Sequence, residues 1–234
     1  MNAFASTIAG DSREPPGWYG KLSMLGDFAQ RRLSEHVVQR CDTWLSQAMA
    51  VSREHLGANW LEIYLSAPIL RFAWAPGVLD AHWWFGILMP SCDQVGRYFP
   101  LLVAQRRASA PADRIALDHL ELWFEHIAQA ALQTLQERAV LDAFEDALRN
   151  APPWPTPGKS IPLAPRPSHG ENQFTIRRST TLHEVMQALA VQELMARLKG
   201  ASLWWRSATG AAEPTLSLVQ GLPDPARFAD LLLD

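Results

Sequence analysis

Two glycine-punctuated segments constrain the chain most: GWYGKLSMLGDF, from Gly17 to Phe28, and PSCDQVGRYFPL, from Pro90 to Leu101. Each sets an acid (Asp27, Asp93) and a base (Lys21, Arg97) among aromatic residues and glycines. Glycine reaches backbone conformations closed to other residues and lets a second backbone approach closely, so this mixture suits tight turns between buried strands. In the second segment, Asp93-Gln94-Val95-Gly96 carries an acid at the first turn position and glycine at the fourth. That order is preferred by a type I turn followed by a left-handed residue.

The rest of the chain extends this reading into an α+β fold, a mainly antiparallel sheet flanked by helices in a single compact domain. Residues 1–14 are small and polar and end at Pro15-Pro16, which reads as a loose tail. Residues 15–150 read as the α+β core. Trp18 to Leu22 suggests a first strand, and Gly26 a bend. Ser34 is placed to cap a helix in which Val37, Cys41, Trp44, Leu45, Ala48 and Met49 recur at helical spacing, with Gly57 past its end. Ile69 to Ala75 and Trp83 to Met89, split by Pro76-Gly77, predict adjacent strands, and Pro100 to Gln105 a third. After Asp113, the spacing of Leu117, Leu120, Trp123, Phe124, Ile127, Ala131 and Leu135 predicts the longest helix, and Val140 to Leu148 another.

Residues 151–172 are dense in proline, which excludes regular helix and interior strand and suggests a segment crossing the outside of the domain. Residues 173–234 read as strand (Phe174 to Arg178), helix (Leu182 to Leu198), two strands (Leu203 to Arg206, Thr215 to Val219) and a terminal helix after Pro223. Those last strands are too few to stand alone and are expected to join the first sheet.

Composition narrows the function. With 234 residues, 48% of them apolar, the chain can bury a substantial core. A formal net charge of -3 gives no broad cationic face, and the basic doublets Arg31-Arg32, Arg106-Arg107 and Arg177-Arg178 are far apart, so no nucleic-acid partner is expected. Cys41 and Cys92 form no CxxC motif, no secretory apolar region opens the chain, and the run near Trp83 to Met89 is too short to cross a bilayer. A cytoplasmic protein without direct membrane insertion fits.

Candidate chemistry is sparse, and no cofactor is implied. Gly20-Lys21 resembles the end of a phosphate-binding loop, but that motif needs glycine where Pro15 stands and Ser or Thr where Leu22 stands. The seven histidines include no HxxxH pair on a predicted helix; His119 and His126 lie two turns apart and read as solvated positions. No G-x-S-x-G elbow supports a serine hydrolase. The lone cysteines read as small buried hydrophobes. The ten tryptophans invite an interface reading, yet Trp44, Trp74 and Trp123 each have a packing explanation. Trp83-Trp84 and Trp204-Trp205 differ: in a strand, neighbouring rings point to opposite faces, so each pair needs cover on both faces or leaves a ring free to anchor a partner.

The two glycine-punctuated segments, in this order and followed by SLWW at Ser202 to Trp205 and GLP at Gly221 to Pro223, resemble the TagF/ImpM family of type VI secretion accessory proteins. The likeness covers Pro16 to about Leu102 and the short C-terminal motifs, and not the proline-rich stretch between. Where the family has proline after G-K-L, this chain has Ser23, which loosens the turn into Met24-Leu25-Gly26. The resemblance implies a cytoplasmic protein that is not an enzyme and restrains secretion-system assembly after translation by binding the system's forkhead-associated scaffold protein. A pathway phosphatase is a further implied associate. Candidate partner-binding residues are Gly20, Lys21, Gly26, Asp27, Phe28, Asp93, Gly96, Arg97, Phe99, Trp204 and Trp205. Among them, Asp27, Asp93 and Arg97 also have a structural reading, as groups that bond turn amides or pair with one another. The rival readings are a structural component of the apparatus and a phosphate-directed hydrolase with Lys21, Asp27, Asp93 and Arg97 in one cleft.

Overall fold

The structure is a computed structural model that describes residues 14–154, 164–166, 173–175, 178–206 and 214–233. In chain order the elements are β1 (Gly17–Gly20), β2 (Ala29–Arg31), α1 (Glu35–Leu56), α2 (Trp60–Ser66), β3 (Leu70–Trp74), β4 (Trp83–Met89), β5 (Leu101–Arg107), α3 (Arg114–Gln133) and α4 (Leu141–Arg149). There follow β6 (Ala164–Arg166), β7 (Gln173–Thr175), α5 (Leu182–Leu198), β8 (Ala201–Trp205), β9 (Leu216–Gln220) and α6 (Phe228–Leu233).

A seven-stranded sheet in the order β2-β1-β5-β4-β3-β8-β9, antiparallel throughout, forms the middle layer. Because successive strand residues point to opposite faces, the apolar runs of β3, β4 and β5 supply two cores. On one face Phe72, Trp74, Trp84 and Leu102 meet α1, α2 and α6. On the other, Ala73, Trp83, Phe85, Ile87 and Val103 meet α3 and α4. The fold is thus the expected α+β domain, with helices on both faces.

Local signals worked as chemistry dictates. Ser34 caps α1 by accepting from the Val37 amide, and Gly57 ends that helix at φ 53. Asp113 caps α3 through the Ala116 amide, and α5 opens on a capping box formed by Thr181 and Glu184. Both Trp doublets are split across the sheet: Trp83 and Trp84 are buried in opposite cores, Trp204 is buried against Trp44 and Phe72, and Trp205 is half-buried edge-on to Phe124.

Several expectations change, among them that the stretch after Asp113 forms the longest helix: α3 has 20 residues and α1 has 22. Leu117 and Leu135, placed on the buried stripe of the long helix, are both exposed; α3 stops at Gln133, before Leu135. His126, read as solvated, is half-buried with Nε2 at 2.8 Å from the Ala147 carbonyl. The β7 strand does not join the main sheet; it pairs with β6 in a separate two-stranded ribbon. The proline-rich stretch begins inside the domain, since Trp154 is buried against Phe85 and Trp123 with the Arg107 guanidinium 4.5 Å from its ring. Its residues 155–163 and 167–172, and the expected tail over 1–13, lie outside the described residues.

Candidate functional site

The loops after β1 and after β4 come together at one end of the sheet because both strands pair with β5. The first loop closes on itself through the Leu25 amide to the Leu22 carbonyl at 2.9 Å, and the second through Gly96 (φ 81) to the Asp93 carbonyl at 3.0 Å. The Gln94 amide then donates to the Leu25 carbonyl at 2.8 Å, and Ser91 Oγ to the Lys21 carbonyl at 2.8 Å. Behind them, the buried Tyr64 hydroxyl donates to the Ser91 carbonyl and accepts from its amide, each at 2.9 Å. Burial raises the Tyr64 pKa and keeps that hydroxyl protonated.

Asp93 is the keystone. Its side chain is fully enclosed, yet Oδ2 accepts from Lys21 Nζ at 2.9 Å and Arg97 Nε at 2.7 Å. Oδ1 accepts from the amides of Val95 at 3.1 Å and Arg97 at 2.9 Å. Four bonds occupy the four lone-pair positions of a carboxylate, so none remains for another donor or a cation. Burial by itself would raise the Asp93 pKa, but the hydrogen bonds from Lys21 and Arg97 outweigh it and hold the carboxyl well below its usual range. Arg97 continues outward, with Nη2 donating to the Gly26 carbonyl at 2.6 Å and lying 3.8 Å from Asp27.

The sequence candidates thereby divide. Gly20, at φ 135, is wedged so that a Cβ would lie 2.1 Å from the Pro100 carbonyl oxygen, and Lys21 and Phe99 are buried. Gly26, Asp27, Phe28, Gly96 and Arg97 form the exposed surface. Phe28 is 45% exposed although its ring stacks on Tyr19, meets Phe99 edge-on at 4.8 Å and has Lys21 Nζ 4.9 Å from its centroid. Val95, in the second loop, is 70% exposed, a residue that sequence reasoning passed over. Trp204 and Trp205 do not belong to this cluster: β4 and β3 separate β8 from β5. As a partner anchor Trp204 is a correction, because its ring is sealed in the core and its Nε1 is bonded to Ser202 Oγ.

A second enclosed acid went unread in the sequence. Glu145 on α4 accepts from Trp18 Nε1 at 2.5 Å and from Arg32 Nη1 at 2.6 Å. Burial works against its ionisation, but the bonds from Arg32 and Trp18 prevail and lower its pKa. Arg32 reaches it from φ 59, an uncommon conformation for a residue with a side chain. The signal was a carboxylate between Phe144 and Leu148 on an apolar helix face, whose nearest base in sequence, Arg149, pairs instead with Asp146.

Both thiols are shifted toward the protonated form. Burial pushes Cys41 up to about 12, and burial followed by the Asp93 charge raises Cys92. Among the described residues no three His, Cys, Asp or Glu side chains group as a metal site, and no helix is long and apolar enough to cross a membrane.

Comparison with known proteins agrees with the motifs. Residues 17–151 match the model of the TagF N-terminal domain, type VI secretion system-associated. The crystal structure of PA0076 from Pseudomonas aeruginosa PAO1 is similar over 93% of each chain, with a TM-score of 0.74 and 37% sequence identity. None of the curated proteins matches. The family model spans the β1 to α4 region that holds both glycine-punctuated segments, and the structural likeness, over 93% of the chain, reaches beyond that region; the chain belongs to the TagF family of type VI secretion system-associated proteins.

Proposed function

We propose that this protein is a cytoplasmic, non-enzymatic, post-translational negative regulator of type VI secretion that acts by binding the forkhead-associated scaffold protein of the system. The carrying observation is the division of the turn cluster. Its buried members, Asp93 and Lys21, are bonded to each other, while Phe28, Val95 and the outer face of Arg97 stand exposed on a rigid platform. An aromatic ring, an aliphatic tip and a guanidinium together suit a protein partner, since aromatic residues and Arg are enriched in interface cores. The mechanism is occlusion: the scaffold, held on this rim, is denied to the assembling apparatus. A phosphatase of the pathway would act on the partner and not through this chain.

Calorimetric titration against the scaffold protein, phosphorylated and unphosphorylated, is the test. Saturable binding to at least one form is expected, abolished by Val95→Glu, a change at a largely exposed side chain, while the thermal midpoint stays unchanged. Absence of binding to both forms overturns the reading. Deleting the gene separates a restraint from a structural component: secretion rises in the first case and stops in the second.

A further inference from the structure

The two edges of the seven-stranded sheet differ in kind. β2 is three residues long, includes Arg31, and runs straight into the bend at Arg32. Shortness, charge and a sharp bend are the devices that keep strand edges from recruiting another chain. β9 carries none of them along its length. Its five residues, Leu216–Gln220, include no charge, proline or glycine, with Pro214 and Gly221 outside its ends. Among the described residues it pairs with β8 alone.

The side chains of β9 strengthen the contrast. Leu216 and Leu218 are 66% and 59% exposed, paired with Trp205 and Leu203 on the face that carries α3 and α5. Cross-strand partners share a face, so these leucines extend an apolar groove of about 300 Å³ whose lining includes Leu117, Phe124, Met195, Leu203 and Trp205. Val219, on the opposite face, packs against the core beneath α1 and α6. That packing holds the strand in register with its edge turned outward.

We propose that β9 pairs with β9 of a second copy of this chain, antiparallel about a two-fold axis through Leu218, so that two sheets become one. The identity of the occupant follows from the strand itself. In that register Leu218 meets Leu218, Ser217 meets Val219 and Leu216 meets Gln220, so no charge opposes a like charge and no ionised group is desolvated. A two-fold axis perpendicular to the sheet also keeps both groove faces on one side, which joins the exposed leucines of the two copies into a single apolar strip. An isologous contact of this kind closes on itself and leaves no β9 edge free for further growth.

Sedimentation equilibrium of the full chain through the micromolar range is expected to show a dimer. Leu218→Lys and Leu218→Glu should each sediment as monomers with unchanged far-ultraviolet circular dichroism, and mixing the two should restore a dimer through opposite charges at the axis. In a Cys92→Ser background, Leu218→Cys should form an intermolecular disulfide under mild oxidation, whereas Leu216→Cys, away from the axis, should not. A wild-type chain that stays monomeric throughout the range, or a dimer that Leu218→Lys leaves intact, overturns the proposal.

Discussion

A carboxylate that accepts four hydrogen bonds from two elements is a strut, and Asp93 holds the turn cluster in that way. Its folded pKa lies below the ordinary carboxylate value, so its contribution to stability is complete above the unfolded pKa, about 4, and drains away as pH falls toward the folded one. Asp93→Asn loses that contribution at neutral pH. Its thermal midpoint should therefore lie several degrees below wild type at pH 7, with the gap closing as both are acidified below about pH 4. Some acid sensitivity should persist in the variant, because Glu145 is shifted in the same direction. A gap of constant width in thermal scans across that range would sink the account. Asp27 stands apart from this network. Its side chain is 77% exposed and sits 3.8 Å from Arg97, the geometry of a surface pair worth about 0–1 kcal/mol. Asp27→Ala should leave the midpoint nearly unmoved, while Arg97→Ala, which strips Asp93 and the Gly26 carbonyl of donors, should lower it. Equal shifts in the two variants would place Asp27 in the structural network after all.

At the scale of the element, α5 and Gly86 mark opposite extremes of constraint. α5 has a capping box at its start but buries only Leu198, and helices in proteins draw most of their stability from packing an apolar face. Its amides should exchange with deuterium well before those of α1, whose buried face runs from Val37 to Ser52; equal protection would show that α5 is docked. Gly86 sits in mid-strand where a Cβ would lie 2.1 Å from the Val103 carbonyl oxygen and 2.5 Å from the Phe72 ring. Gly86→Ala should cost about 1–3 kcal/mol or more in chemical denaturation, the range for overpacking a core. These two cases show what was legible in the sequence. Ser34, Gly57 and the Asp93 to Gly96 turn announce themselves because a cap or turn is written within a few residues. Gly86 looks like any glycine in an apolar run until Phe72 is known to pair with it. Likewise Glu145 and Arg32 meet across 113 residues of chain. At the candidate site, the motifs gave the cluster, but only the packing separated its buried half from its exposed rim.

For the molecule as a whole, the family match ends at residue 151 while the fold does not. β8 fills the far side of β3 with the pairs Phe72 to Trp204 and Trp74 to Ser202. Trp44 of α1 donates its Nε1 to the Pro223 carbonyl at 2.8 Å and packs against Trp204 and Phe228. A fragment of residues 14–154 would thus strip one core face of Trp204, Phe228 and Leu232 and leave the buried β3 as a bare apolar edge. Two-state folding requires each core to be closed, and an edge this apolar recruits other chains. The fragment should show no cooperative thermal transition and should aggregate, although it holds both signature segments; the full chain should unfold in one transition by tryptophan fluorescence and circular dichroism alike. A fragment with native near-ultraviolet dichroism and a sharp melt would mean that the matched region is an autonomous domain and the C-terminal strands an addition to it. That outcome would also move the turn cluster's support entirely within residues 17–151. Coincident loss of both, on the other hand, would make the presentation of Phe28 and Val95 depend on strands that enter the sheet at its opposite side.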